Sequence, residues 1–231
     1  MRSAQPSLIY LSAEDEPREG VERMRFKLTY RGPLKAHRVN SEGHADKMAP
    51  HIHAIRRHFH LQLKELWQTN RMLSEHKSHP SDYGLPNAPD GERVSLLDIV
   101  AQSHQCNGFR FVPLVRKSWS LECDLSILLL RKDHPGSGIV HRGDLDNRVK
   151  TLLDALRFPE TPQEAGGETP QDGEDPFFCL LEDDKFVSGL SVESGQLLEP
   201  ISDGEPDNTV QLVVSVDVRP YFVTMFNLAF G

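Results

Sequence analysis

From Met24 to Tyr30 apolar and polar residues alternate, the period of a strand with one buried face, and Gly32-Pro33 ends the run. At Pro50 the period changes. Ile52, Ile55, Phe59, Leu63 and Leu66 fall on one face of a helix that runs to about Leu73, and its flank carries a basic stripe of His53, Arg57, His60 and Lys64. Residues 74–92 have the composition of a loop, and Val94 to Ala101 fits a short strand or a short helix equally. Trp119 to Leu130 alternates and then becomes continuously apolar, as a central strand does, and Asp133-His134-Pro135-Gly136-Ser137-Gly138 closes it. A second helix begins near Asp146 with Val149, Leu152, Leu153 and Leu156 as its buried stripe. Phe177 to Val192 and Thr209 to Val218 read as two further strands, the latter with Val210, Leu212, Val214, Val216 and Val218 on one face. This order predicts an α+β fold, a mixed sheet with two main helices packed against it.

Composition narrows the picture. The chain has 231 residues, 38% of them apolar, with 16 Gly and 16 Pro, so a single domain over 21–218 is expected to carry substantial loops. Residues 1–20 are rich in Ser, Pro and acids and read as a flexible N-terminal arm, residues 159–176 read as a flexible insertion, and 219–231 form a tail. No stretch approaches the ~18 consecutive apolar residues of a membrane span and no signal-like run opens the chain, so a cytoplasmic protein is expected, nucleoid-associated if bacterial. Cys106, Cys123 and Cys179 are far apart and odd in number, which predicts buried thiols rather than disulfides or a cysteine zinc site.

The net charge of −8 is unevenly divided. Residues 159–209 hold 14 acids against Lys185 alone, so the rest of the chain is net +5, and 21–71 carries 11 Lys or Arg against 4 acids. Such a basic region attracts phosphates even in an acidic protein.

Candidate chemistry lies in the carboxylates of Gly143-Asp144-Leu145-Asp146-Asn147 and of Glu182-Asp183-Asp184. If Asp144 is still extended, it and Asp146 point to the same side. Lys150 and Asp154 follow Asp146 at i+4 and i+8, on a polar edge away from the apolar stripe. Carboxylates from separate elements suit a hard cation such as Mg²⁺, and phosphodiester hydrolysis is the chemistry that needs one. Each residue also has a structural account: Asp146 or Asn147 as an N-cap, Asp183-Asp184 as a turn, and Lys150 as the i, i+4 partner of Asp146. The phosphate loop GxxxxGK[ST], the dinucleotide turn GxGxxG and the elbow GxSxG are all missing. His51-x-His53 and His58-x-His60 lack the i, i+4 spacing of a helical zinc site.

Gly143-Asp144-Leu145-Asp146-Asn147, then Lys150 and Leu153-Asp154-Ala155-Leu156, and later Glu182-Asp183-Asp184 with Val187, resemble the signature of the RusA family of Holliday junction resolvases. The likeness covers roughly residues 120–218. It implies that Asp144, Asp146 and Asp184 bind Mg²⁺, with Mn²⁺ as a substitute, that Lys150 is catalytic, and that Asp183 and Asp154 support them. It implies a RusA-like α+β fold with long insertions at 74–108 and 159–176, and a homodimer that nicks four-way DNA junctions in recombination and repair. Phosphate contacts are then expected from Arg31, Lys35, Arg38, Arg57, Lys64, Arg131, Lys132 and Arg142, with His141 nearby. The alternative expectation is a non-catalytic junction-binding or regulatory protein that keeps the fold.

Overall fold

The computed structural model describes residues 23–36, 45–75, 77–78, 94–132, 142–199, 204, 206, 208–224, 227 and 230. At Ala45–Lys47, Glu75, Lys77–Ser78, Val94, Leu96 and Arg142–Asp144 it describes the backbone alone.

The alternating N-terminal run forms strand β1 (Met24–Pro33), with Met24, Leu28 and Tyr30 buried. Helix α1 (Ala45–Thr69) contains Pro50 in its second turn, where the missing N–H costs the helix one backbone bond, and the predicted apolar face runs on from there. A short α2 (Arg71–Glu75) follows, its first turn held by Asn70, whose Oδ1 accepts the N–H groups of Met72 and Leu73. Strands β2 (Lys77–Ser78) and β3 (Val94–Ser95) pair antiparallel. The segment from Val94 then proves to be mainly helical, α3 (Leu96–Ser103), with Ser95 capping the Asp98 N–H.

Strands β4 (Gln105–Cys106) and β5 (Phe109–Val115) come next. Neither is apparent from alternation, because β5 is apolar except for Arg110 and buried on both faces from Phe111 to Val115. The central strand is β6 (Leu121–Arg131), and the second long helix is α4 (Arg142–Leu156). The stretch 177–192 forms two strands rather than one, β7 (Phe177–Leu181) and β8 (Val187–Gln196), and they belong to different sheets. A 3₁₀ turn at Asp184–Phe186 separates them, capped by the Asp183 carboxylate, which accepts the Lys185 N–H at 3.0 Å. Strand β9 (Thr209–Pro220) buries the five predicted residues Val210, Leu212, Val214, Val216 and Val218.

The architecture is mixed α+β. A four-stranded sheet has the order β1-β9-β6-β8, with β8 parallel to β6 and the other pairs antiparallel. A second sheet, β4-β5-β7, pairs β5 with β7 in parallel. Helix α1 contacts β1 of the first sheet, β7 of the second, and α4. Its residues Ile52, Ile55, Phe59 and Leu63 join a core that includes Leu125 and Ile127 of β6 and Leu152 and Leu156 of α4. Each such side chain contributes roughly 1.5–3 kcal/mol by leaving water. None of the helices is long and apolar enough to cross a membrane among the described residues.

Two polar side chains of α1 also close strand edges. Gln62 gives its amide to Thr29 as another strand would, accepting the Thr29 N–H (2.9 Å) and donating to the Thr29 carbonyl (2.7 Å). His60 accepts the Phe178 N–H on Nδ1 (2.8 Å) and donates from Nε2 to the Gly173 carbonyl (3.2 Å).

Segment 159–176 corrects an expectation. It has no helix or strand of its own, yet it is held down rather than flexible: Ala165 is fully buried, and Arg57 of α1 pairs with Glu174 (2.6 Å) and with Glu168. The Arg110–Asp175 pair (2.8 Å) and the Asn107–Glu168 carbonyl bond (2.7 Å) fix its other side. The tail is anchored too, since buried Asn227 donates to the carbonyls of Trp119 and Phe222, both at 2.8 Å, and Phe230 packs on Trp119. All three cysteines are buried thiols, as expected. The arm 1–20 lies outside the described residues.

Candidate functional site

Helix α4 carries two adjacent rows of residues at i, i+4, i+8 spacing. Leu145, Val149 and Leu153 form an apolar row and Asp146, Lys150 and Asp154 a polar one, about 100° further round the helix. The apolar row is only half-buried. It meets Leu190 and Val192 of β8 and forms the floor of a cleft of about 270 Å³, with Asp146, Lys150 and Asp154 lining it and Asp184 reaching it from the turn before β8. Four residues singled out in the sequence are therefore brought together. Of the predicted buried stripe, Leu152 and Leu156 reach the core, while Val149 and Leu153 line this cleft.

The details differ from the sequence reading in three ways. First, Asp144 is not extended. Its backbone lies in α4 with that of Asp146, and positions i and i+2 of a helix stand about 200° apart, so the shared side of an extended pair does not arise. Second, the three acids after β7 part company. Asp183 caps its own turn and pairs with the Lys185 ammonium; burial alone raises its pKa, but these bonds hold it below the ordinary aspartate value. Glu182 lines a different pocket, and Asp184 alone faces the α4 cleft. Third, Asp154 shares its carboxylate with Arg157 (3.3 Å), whereas Lys150 is exposed and makes no salt bridge with Asp146 or Asp154.

Among the described residues, no three His, Cys, Asp or Glu side chains stand close enough to form a ready metal site. Asp146 and Asp154 are separated by about 12 Å along the helix axis. The donor set suits a cation held by one or two carboxylates with water completing its shell, the usual state of Mg²⁺.

A residue not flagged by the sequence holds α4 in place. Arg56 is 1% exposed, and its guanidinium donates to the carbonyls of Asp154 (2.8 Å), Arg157 (3.2 Å) and Glu164 (3.1 Å), which satisfies orphan groups at the C-terminal end of α4. Burial brings its pKa down to about 10, so it stays charged at neutral pH. The signal was its spacing, because Arg56 lies four residues after Ile52 and three before Phe59, on the apolar face itself.

The predicted phosphate contacts divide by location. Register places Pro33 opposite Thr209 and Arg131 opposite both Val210 and Gln196, so these strand ends share one end of the large sheet. Arg148 donates to the Leu34 carbonyl (2.6 Å), which ties the first half of α4 to that end. Arg31, Lys35, Arg131 and Lys132 therefore gather there. Lys35 and Lys132 are exposed, Arg131 is half-buried, and Arg31 pairs with Glu199 at 2.8 Å.

The stripe on α1 is otherwise engaged. His53 and His60 are buried, Arg57 is paired with glutamates, and Lys64 donates to the Gly173 carbonyl (2.9 Å), so this face meets residues 164–178 rather than solvent. Its helical period is that of a packed face as much as of a binding face. Among the paired histidines, His51 accepts the Lys35 N–H (3.1 Å) and His58 bonds the Thr29 carbonyl (3.0 Å), which leaves no zinc arrangement with His53 and His60. Arg38 and His141, and the side chain of Arg142, lie outside the described residues.

No family model, no curated protein and no solved structure matches this chain.

Proposed function

We propose that this protein is a metal-dependent endodeoxyribonuclease that cuts branched DNA, a Holliday junction resolvase resembling the RusA family. One observation carries the reading: the cleft between α4 and β8 gathers Asp146, Lys150, Asp154 and Asp184, residues the sequence motif singles out although Asp184 lies 30 positions beyond Asp154.

Asp146 and Asp184 are the carboxylates that would hold Mg²⁺ or Mn²⁺, with water completing the shell; the family resemblance adds Asp144, but its place two residues before Asp146 on α4 does not favour it as a third ligand. When bound, the cation neutralises phosphate charge and lowers the pKa of a water. Lys150 contributes a fixed positive charge to the same wall, where it stabilises the negative charge that builds on the phosphate in the transition state. The floor of Leu145, Val149, Leu153, Leu190 and Val192 displaces water and so strengthens both interactions. Asp154, tied to Arg157, orients this rim. Lys35, Arg131 and Lys132 grip flanking phosphates at the adjoining end of the sheet. A two-fold homodimer matches the symmetry of a four-way junction.

Incubation of the protein with an end-labelled four-way junction at low salt tests the proposal. Mg²⁺- or Mn²⁺-dependent nicking is expected, abolished in D146N and D184N while junction binding persists, because removing a carboxylate also removes repulsion of phosphate. Metal-independent junction binding without cleavage refutes catalysis and leaves the non-catalytic reading.

A further inference from the structure

A second pocket, of about 500 Å³, lies at the carboxyl ends of the neighbouring parallel strands β5 and β7. Ile99 and Val100 of α3 give it an apolar wall. Ser103 and His104 follow at the end of that helix, Arg116, Lys117 and Ser118 come from the turn after β5, and Glu182 comes from the end of β7. Crevices outside the carboxyl ends of adjacent parallel strands are recurrent ligand sites, and the volume is that of a small-molecule pocket.

Local bonds aim its polar groups. The Glu182 N–H donates to the Val115 carbonyl (2.9 Å), and its Oε2 accepts the Lys117 N–H (2.7 Å), so the carboxylate is fixed against the turn. The Arg116 guanidinium lies 3.3 Å from the centre of the Trp119 ring and adds a buried positive charge to the wall. His104 donates from Nδ1 to the Val100 carbonyl (3.2 Å), which leaves Nε2 facing Glu182 Oε1 across 3.9 Å, too long for a direct hydrogen bond. Lys117 and Ser118 are exposed at the rim.

An apolar wall, a carboxylate acceptor, and cationic and hydroxyl donors thus stand side by side. A nucleotide carries the complementary set, a flat base with N–H donors and a phosphate. We infer that this pocket receives one unpaired nucleotide of the DNA substrate, with its base against Ile99 and Val100 and an N–H given to Glu182, and its phosphate held by Lys117 and Ser118. Glu182 and Asp184 are two residues apart on one turn, at most about 7 Å between Cα atoms, so the nucleotide neighbours the strand in the α4 cleft. The identification of the substrate as DNA rests on the nuclease reading; the pocket's taste for a nucleotide does not.

The test is to titrate the full chain, with a chelator present, with dAMP, deoxyribose 5-phosphate and inorganic phosphate, following backbone amide signals by NMR. Single-stranded and duplex oligonucleotides then compete with dAMP. The expected result is that dAMP shifts signals of Val100–His104 and Lys117–Ser118, binds at least about tenfold more weakly to E182Q and K117A, and is displaced by the single strand. The inference is overturned if dAMP binds no better than inorganic phosphate, if both variants bind it unchanged, or if duplex displaces it as well as single strand does. K117A alters only an exposed side chain, so it decides the matter if the melting temperature shows that E182Q does not fold. Cleavage is not read, so failure of the nuclease reading leaves this result unaffected.

Discussion

Lys150 lies midway between Asp146 and Asp154 on the wall of the cleft, exposed and without either as a salt-bridge partner. Its charge therefore contributes little to the fold and is available to a phosphate. K150A is expected to lower the cleavage rate by about 10²–10³-fold in single-turnover assays while leaving the melting temperature unchanged. Arg56 is the opposite case, a buried charge whose value is structural. R56M leaves carbonyls of Asp154, Arg157 and Glu164 without their donor and is expected to cost about 2–4 kcal/mol in denaturant unfolding.

His53 gives a pH dependence. Burial first, and then the charges of Arg56 and Arg57, bring its pKa down from 6.5 to about 4; its Nδ1 faces Arg56 at 3.2 Å and its Nε2 is enclosed without a hydrogen-bond partner. Between those two pH values the unfolded chain binds a proton that the folded chain does not. The contribution of neutral His53 to stability is thus complete above about pH 6.5 and declines as the pH falls toward 4. Urea unfolding at pH 7 and pH 5 is expected to differ by about 2 kcal/mol from this residue, and H53F is expected to flatten that part of the slope.

At the scale of elements, α1 is the organiser. One face enters the core and the other receives segment 159–176 through Arg57, His60 and Lys64. Replacing both Glu168 and Glu174 by Gln is expected to raise amide hydrogen exchange in 160–176 without raising it in the first turns of α4. Equal exchange in both proteins tells against a charge-held strap. This segment shows why sequence reading reached only part of the fold. Periodicity marks β1, α1, β6, α4 and β9, because each has one face in the core and one in water. It does not mark β5, whose two faces are both buried, or segment 159–176, whose hold comes from ion pairs with residues some 110 positions away. The break between β7 and β8 was signalled by Asp183, a turn-capping residue within an otherwise strand-like run. Asp146, Lys150, Asp154 and Asp184 were legible as a set because a motif joins them. Arg116 and His104 belong to no motif, and Glu182 meets them only through the β5–β7 pairing.

For the whole molecule, charge is arranged by position rather than by sum. The net charge is −8, yet Lys35, Arg131 and Lys132 share one end of the large sheet with the start of α4, while the acids of 160–176 are spent partly on Arg57, Arg110 and Arg157. Junction binding is expected to weaken steeply with salt, and K35A and K132A are each expected to reduce the slope of log K against log salt by about 0.9, whereas K64A, on the strap face, leaves it unchanged. The central claim, a catalytic cation between α4 and the turn before β8, is tested most directly by locating the metal. Anomalous diffraction from crystals soaked in Mn²⁺ is predicted to show a peak within coordination distance of Asp146 and Asp184 that is lost in D146N. A peak elsewhere, or none in the cleft at saturating Mn²⁺, contradicts the account.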